Sequence, residues 1–329
     1  MIKFPPKLNL AHLPTPIERL PEISKELGLN IYIKRDDLTG SEVSGNKIRK
    51  LEFSLQEAIG QNAEVVITCG GIQSNHCRAT AAVCARLNLS CCLLLKNEEE
   101  SPKLEGNYFL DKLLGAEVRF VSFDDYKKRR NELMEEIKEE YEKKGIKAYV
   151  IPEGASNGIG TFGYLSCMEE IEKQEKELGV HFDTIIDTVG SGGTFAGLYL
   201  SNLLLGEKRR FAGVNVSENA EHFQNRISEI CAETGKYLDM DIKFSPEDIE
   251  VIDGYVGRGY ALSRPEELEF IREFARREGI ILDPVYTGKC MYGFYNEAKK
   301  GRFKTSQNVL FMHTGGLFGI FPKAEEFPL

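Results

Sequence analysis

The sequence predicts an α/β protein made of two three-layer domains with mostly parallel sheets. Three observations predict it. Short apolar runs alternate with longer amphipathic stretches along nearly the whole chain. Several apolar runs end in glycine-rich or polar turns, as buried strands do before a helix. The alternation comes in two series, with no internal repeat and no low-complexity linker between them.

Taken in order, NIYIKRDDL (30–38) reads as a strand, and SGNKIRK (44–50) opens a helix that continues through LEFSLQEAIG. AEVVITC, CCLLLK, AEVRFVS and KAYVIPE are too short for helices and read as buried strands. Between them SNHCRATAAVCARLN, LEGNYFLDKLLG and the charged DDYKKRRNELMEEIKEEYEKKG carry helical spacing, the last with a solvated outer face. A second series supplies the strands FDTIIDTVG, FAGVNVS, IEVIDGY and NVLFMHTGG, with helices between. Such alternation argues parallel sheets covered on both faces. One sheet is expected within 50–158. The other takes NIYIKRDDL and everything after about 159, so 1–49 and 159–329 form the larger domain and 50–158 an inserted smaller one. A chain that leaves one domain and returns places a cleft between the two, where ligands bind.

Composition narrows the function. The 329 residues are 42% hydrophobic and 28% charged, which fits a globular protein with a large core. Asp and Glu outnumber Lys and Arg by 51 to 42, a net charge of −9, and no basic patch is interleaved with aromatics; no nucleic-acid partner is expected. No apolar run approaches the roughly 20 residues that span a bilayer, and MIKFPPKLNLAHLP has no continuous apolar core of a signal peptide. No membrane partner is expected. Eight cysteines without a CxxC pair read as buried thiols in a reducing cytoplasm, and the five histidines show no zinc spacing, so no metal is expected.

The densest glycine signal is TVGSGGTFAG, Thr188 to Gly197, directly after an apolar strand and before a helix. Gly190, Ser191, Gly192, Gly193 and Thr194 can turn several N–H groups towards one point, which with the helix N-terminus suits a phosphate. No lysine follows, so this is no Walker loop. Phe195 stands where a dinucleotide fingerprint needs its third glycine, which disfavours a nucleotide-dependent oxidoreductase. A small monophosphate fits better. GGIQSNHCR, Gly70 to Arg78, lies at another strand end. Ser74 there either caps the helix or serves the site, while Gln73, Asn75 and His76 offer donors for a carboxylate or phenolic oxygen. Tyr286, in ILDPVYTGK, and the tip His313–Thr314 close two further strand ends. Lys47 begins a helix beside them. A phosphate cradle with a positioned amine suggests pyridoxal 5'-phosphate, held through Lys47, with Lys50 one turn on pairing with the phosphate and Arg49 solvated. A carrier of that cofactor without catalysis would need neither Ser74 nor the tyrosines.

The set SGNKIRKLEF, GGIQSNHCR, PEGASNGIGTFGY, GSGGTFAGL, GYALS, LDPVYTGK and HTGG resembles, in order and over nearly the whole chain, the D-cysteine desulfhydrase and 1-aminocyclopropane-1-carboxylate deaminase family. These are fold type II pyridoxal-phosphate enzymes built like the tryptophan synthase β subunit. The resemblance implies a larger cofactor-binding domain, a cofactor in the interdomain cleft, a small amino-acid substrate and a homodimer. It makes Lys47 the lysine that holds the cofactor, Ser74 and Asn75 the binders of the substrate carboxylate and the cofactor's ring oxygen, and Tyr260 and Tyr286 the active-site tyrosines. Deaminases usually carry glutamate after the second tyrosine, against the pyridine nitrogen. Thr287 stands there, with Thr314 the other candidate for that nitrogen. His76 replaces a glutamine usual in deaminases. Both departures favour β-elimination of D-cysteine over opening of a cyclopropane. Ala155, Ala261, Ser263 and Tyr292 depart from the desulfhydrase pattern and leave L-cysteate or another small β-substituted amino acid open as substrate.

Overall fold

A computed structural model describes residues 3–99, 101–206 and 208–329. Its strands are β1 (Ile17–Arg19), β2 (Asn30–Arg35), β3 (Val65–Gly71), β4 (Ser90–Lys96), β5 (Glu117–Val121), β6 (Ala148–Val150), β7 (Thr184–Val189), β8 (Arg210–Asn215), β9 (Glu250–Ile252) and β10 (Asn308–His313). Its α-helices are α1 (Pro21–Leu27), α2 (Lys47–Gly60), α3 (Asn75–Arg86), α4 (Gly106–Leu113), α5 (Phe123–Glu142), α6 (Gly158–Leu178), α7 (Gly193–Leu205), α8 (Ala220–Leu238), α9 (Pro265–Glu278) and α10 (Thr287–Lys299).

The strands form two sheets, ordered β1-β2-β10-β7-β8-β9 and β5-β4-β3-β6. Every pairing is parallel except β1 against β2. The α/β class with mostly parallel sheets is therefore as the alternation implied, and β2 joins the late strands by pairing with β10. The three residues of β1, Ile-Glu-Arg, were not legible as a strand; the edge pairing with β2 holds them.

Alternate residues of the large sheet feed two cores. Ile185 and Val189 of β7 pack with Phe162, Phe195 and Ile227 of α6, α7 and α8. Ile186 packs on the other face with Ile271, Met291 and Phe294 of α9 and α10. In the small sheet Val66 lies with Leu51, Ala79 and Val83 of α2 and α3, while Val65 and Ile67 meet Tyr126 and Met134 of α5. Each sheet is thus the middle of three layers.

Helix α2 carries the first cluster of charge, and here one expectation is corrected. Arg49 is not solvated; it is 2% exposed. Its guanidinium grips both Asp36 oxygens at 2.8 Å and Glu170 at 2.9 and 3.1 Å, and reaches the Thr15 hydroxyl at 3.1 Å. Tyr164 donates to Asp36 from α6 at 2.6 Å. The helices approach so closely that a Cβ on Gly163 would lie 2.5 Å from the Arg49 carbonyl oxygen. At 100° per residue Arg49 lies about 200° round the helix from Lys47, so anchoring Arg49 on α6 leaves Lys47 and Lys50 to the other side.

Candidate active site

The carboxyl end of β7 runs into Gly190, Ser191 and Gly192, and α7 starts at Gly193. Gly192 takes a left-handed φ of 85° and offers no side-chain cap, so the first N–H groups of α7 lack intrahelical acceptors. One hydroxyl organises this turn. Ser156 Oγ accepts from Lys50 Nζ at 3.2 Å and from the Gly193 N–H at 3.3 Å, and shares a hydrogen bond with Ser191 Oγ at 2.8 Å. A Cβ on Gly193 would sit 2.6 Å from that oxygen, so only glycine permits the approach. A Cβ on Gly192 points elsewhere, to Ile227 and Ile230 at 3.3 and 3.4 Å. Ser156 was not singled out from the sequence. It follows Gly154 and Ala155, both in left-handed backbone, within the PEGASN stretch.

Lys47 is the first residue of α2 and half-buried. Its amine has no hydrogen-bond partner among the described residues. Burial pulls it down to about 8, against the charges of Asp187, Glu153 and Asp283. Lys50 is fully buried, and burial followed by repulsion from Lys47 holds it well below the ordinary lysine range. Asp187, on the β7 face towards α7, has neither carboxyl oxygen hydrogen-bonded among the described residues. Burial pushes it up to about 8, opposed by the nearby Thr188 N–H and the two lysines. Asn46, ahead of α2, does not cap it. Its amide reaches the Thr194 hydroxyl at 2.9 Å, and its N–H donates to the Thr314 carbonyl at 3.1 Å. These bonds join α2, α7 and the end of β10.

At the end of β3, Ser74 does cap α3, accepting from the Cys77 N–H at 3.2 Å, which leaves its own proton to donate. Two of the donors expected beside it are engaged elsewhere. Gln73 bridges the turn before α4, giving its amide to the Glu105 carbonyl at 3.1 Å and accepting the Asn107 N–H at 2.8 Å. His76 is buried against Thr68, whose hydroxyl donates to the Ile151 carbonyl and so accepts from His76 Nε2 at 2.8 Å. Burial and the charges of Lys47 and Lys50 keep that imidazole neutral, far below its usual range. Asn75 is the half-buried donor that remains.

The Tyr260 and Tyr286 hydroxyls share a short hydrogen bond, their rings edge to face at 6.1 Å. Tyr286 lies against Gly190, where a Cβ would meet its ring at 3.2 Å. The Lys96 ammonium stands 4.7 Å from the centre of the Tyr260 ring and 3.4 Å, through its Cε, from the Cβ position of Gly71. The tyrosines are thereby tied to both loops. Burial raises both phenols, Tyr286 further through repulsion from Tyr260, so both stay protonated near neutral pH.

Thr287 starts α10, but its hydroxyl donates to Asp283 Oδ1 at 2.7 Å and accepts the Asp283 N–H at 2.9 Å. The Thr314 hydroxyl has no hydrogen bond among the described residues. His313, expected at the polar tip, instead donates to the Ile281 carbonyl at 3.0 Å and accepts the Gly315 N–H. No His, Cys, Asp and Glu cluster able to hold a metal occurs among the described residues.

An uncapped helix N-terminus, a buried ammonium with one long hydrogen bond and a half-buried amine without a partner together fit a ligand bearing a phosphate and an aldehyde. Comparison with known proteins agrees. Residues 8–315 match the family model described as "Pyridoxal-phosphate dependent enzyme". The chain is 42% identical over 328 residues to a bifunctional D-cysteine desulfhydrase/1-aminocyclopropane-1-carboxylate deaminase of Arabidopsis thaliana, covering 97% of this chain and 80% of that one. It is 39% identical over 320 residues to a D-cysteine desulfhydrase of Yersinia enterocolitica, covering 96% and 95%. The crystal structure of an ACC deaminase homologue superposes with a TM-score of 0.89 at 41% identity, over 98% of this chain and 95% of that one.

Proposed function

We propose that this chain, which belongs to the family of pyridoxal-phosphate-dependent enzymes, catalyses β-elimination from D-cysteine or a close β-substituted amino acid, yielding pyruvate, ammonia and sulfide. Lys47 would hold the cofactor. Lys50, Ser191 to Thr194 and Ser156 would hold its phosphate, with Gly190 keeping room for Tyr286. When bound, the cofactor supplies the electron sink for the Cα–H bonding pair.

The residues supply the rest. The Asn75 amide and the Ser74 hydroxyl bind the substrate carboxylate and the ring oxygen. Lys47, with an amine drawn down to about 8, accepts a proton at Cα near neutral pH. The Tyr260–Tyr286 hydroxyl pair, protonated at neutral pH, would donate a proton to the departing sulfur. A positioned acid is worth roughly 10²- to 10⁴-fold.

The observation that carries the choice of reaction is Thr287. Its proton is committed to Asp283, so nothing ionised at that position supports a pyridinium, and Thr314 is the freer neighbour for the nitrogen. A weaker sink suffices to expel a thiolate. Ring opening of 1-aminocyclopropane-1-carboxylate is the second reading, favoured by the double name of the plant relative. A panel of D- and L-amino acids with β-leaving groups, assayed for keto acid and ammonia beside the cyclopropane, decides. Turnover of the cyclopropane with neither cysteine enantiomer consumed rejects elimination. Lys47→Ala should abolish turnover and the visible absorbance of the lysine–cofactor linkage; a variant that keeps the colour rejects Lys47.

The domain division at 50–158 is read the same way, supported by the separate small sheet. So is a cytoplasmic homodimer. Eight free, buried cysteines suit a reducing compartment, and Phe109 and Leu113, one turn apart on α4, expose apolar surface for a second subunit. No helix among the described residues is long and apolar enough to cross a membrane.

A further inference from the structure

We propose that Asn107 is a positioning residue that fixes which end of the Asn75 amide faces the cleft. Asn107, the second residue of α4, is fully buried. Its side chain makes three hydrogen bonds, and donor chemistry allows one orientation. Arg78 Nε can only donate, and it lies 3.1 Å from Asn107 Oδ1. The Gln73 carbonyl can only accept, and Asn107 Nδ2 reaches it at 2.9 Å. The second N–H of the same nitrogen therefore goes to Asn75 Oδ1, at 3.0 Å. The Asn75 oxygen is thereby held towards Asn107. The Asn75 NH₂ group has no partner among the described residues and is left as a pure donor.

A flipped Asn75 would turn an oxygen towards an anionic ring oxygen or carboxylate and repel it. The relay that forbids the flip begins beside Lys47. Arg78 is itself pinned by the carbonyls of Glu42 at 2.6 Å and Ser44 at 2.9 Å, in the turn that leads into α2. The Asn107 N–H also holds the Gln73 side chain at 2.8 Å. Gln73, which sequence reasoning placed in the site, thus braces the loop that carries Asn75. The same arginine fork sets the approach to Lys47 and, through Asn107, the polarity of Asn75.

The proposal rests on the reading above that Asn75 faces the bound cofactor or its substrate, and the test separates the two. The visible absorbance maximum of the holoenzyme and the pH midpoint of its spectral change are measured for wild type, Asn75→Ala, Asn107→Asp and the double variant. Affinity of each apoprotein for pyridoxal phosphate and thermal melting are measured alongside. A carboxylate at 107 still accepts from Arg78 but cannot donate to Asn75, so Asn75 turns its oxygen outwards. Asn107→Asp should move the midpoint by about one pH unit in the direction of Asn75→Ala, as loss of a hydrogen bond to a charged oxygen would. The double variant should move no further than Asn75→Ala alone. Asn107→Ser, uncharged and too short to reach Asn75, should shift the midpoint the same way if the aspartate variant does not fold. A shifted Asn75→Ala with both Asn107 variants at the wild-type midpoint overturns the relay. An unshifted Asn75→Ala overturns the placement of Asn75, and the proposal with it.

Discussion

Replacing Arg49 by methionine removes five hydrogen bonds at one stroke and leaves Asp36 buried with only hydroxyl donors and the more distant charge of Lys34. Removing one partner of a buried ion pair is destabilising by about 3–5 kcal/mol. Glu170 is partly exposed and keeps Lys34, so most of the loss falls on Asp36. Against a typical total of about 5–15 kcal/mol, that is a large fraction. Urea unfolding at pH 7 with saturating cofactor, followed by far-ultraviolet circular dichroism, measures it. The origin can be checked by pH. Burial pushes Asp36 and Glu170 up, but Arg49 outweighs it and holds both below the ordinary carboxylate range. A depressed carboxyl stabilises the fold above its unfolded pKa, and that contribution is lost as pH falls through the folded value. The gap between wild type and Arg49→Met should therefore shrink below about pH 4. Asp36→Asn in the Arg49→Met background should recover part of the loss, because the orphaned charge is gone. A gap under about 1 kcal/mol at pH 7, or one unchanged in acid, would show that Arg49 is not the anchor of α2.

Gly193→Ala should weaken cofactor binding tenfold or more, about 1.4 kcal/mol, because its Cβ displaces Ser156 Oγ from Lys50. Gly192→Ala, whose Cβ points to Ile227, should instead lose about 1–2 kcal/mol of stability to its left-handed backbone with affinity within about threefold; titration of the two apoproteins checks the contrast. Asp187→Asn tests the other buried charge. Its carboxyl, raised to about 8, favours the fold in its protonated form, and this contribution is lost as pH rises through 8. The apoprotein variant should therefore gain on wild type from about pH 4 up to about pH 8 and level off above it, and melting curves with a constant offset across that range would reject the assignment.

What was legible in the sequence depended on how local its cause is. Strands and their glycine-rich or polar ends were readable, because period-2 burial and turn chemistry act over a few residues. Lys47, Lys50 and the Gly190 to Thr194 loop stood out for the same reason. Gln73, His76 and His313 read as open polar groups in the sequence, but hydrogen bonds to the 105–107 turn, Thr68 and Ile281 engage them, and such partners leave no local pattern. Ser156 and Asn107 act through similar contacts and left no mark of their own. Arg49 is different. The 3.6-residue period already put it on the other side of α2 from Lys47, and only the identity of its partners, Asp36 and Glu170, was hidden.

The opening run of cations then has a physical reason. Cations at the start of a helix oppose its dipole, so three in four residues is an unfavourable choice unless each is used. Arg49 is neutralised by two carboxylates. Lys47 and Lys50 are not: neither has a hydrogen-bonded carboxylate, both are drawn below their ordinary range, and the buried acid beside them is itself pushed towards its neutral form. The fold therefore holds two ammonium groups in a poor solvent, next to the uncapped N–H groups of α7, without supplying the counter-charge. On the proposed reading, a phosphate dianion would restore that balance at Lys50 and the loop. That would leave Lys47, whose amine burial draws down to about 8, to act as a nucleophile and then as a base. Tyr260 and Tyr286, phenols raised above an already high ordinary range, are uncharged near neutral pH, so the cleft pairs an amine close to its titration point with two hydroxyls that keep their protons.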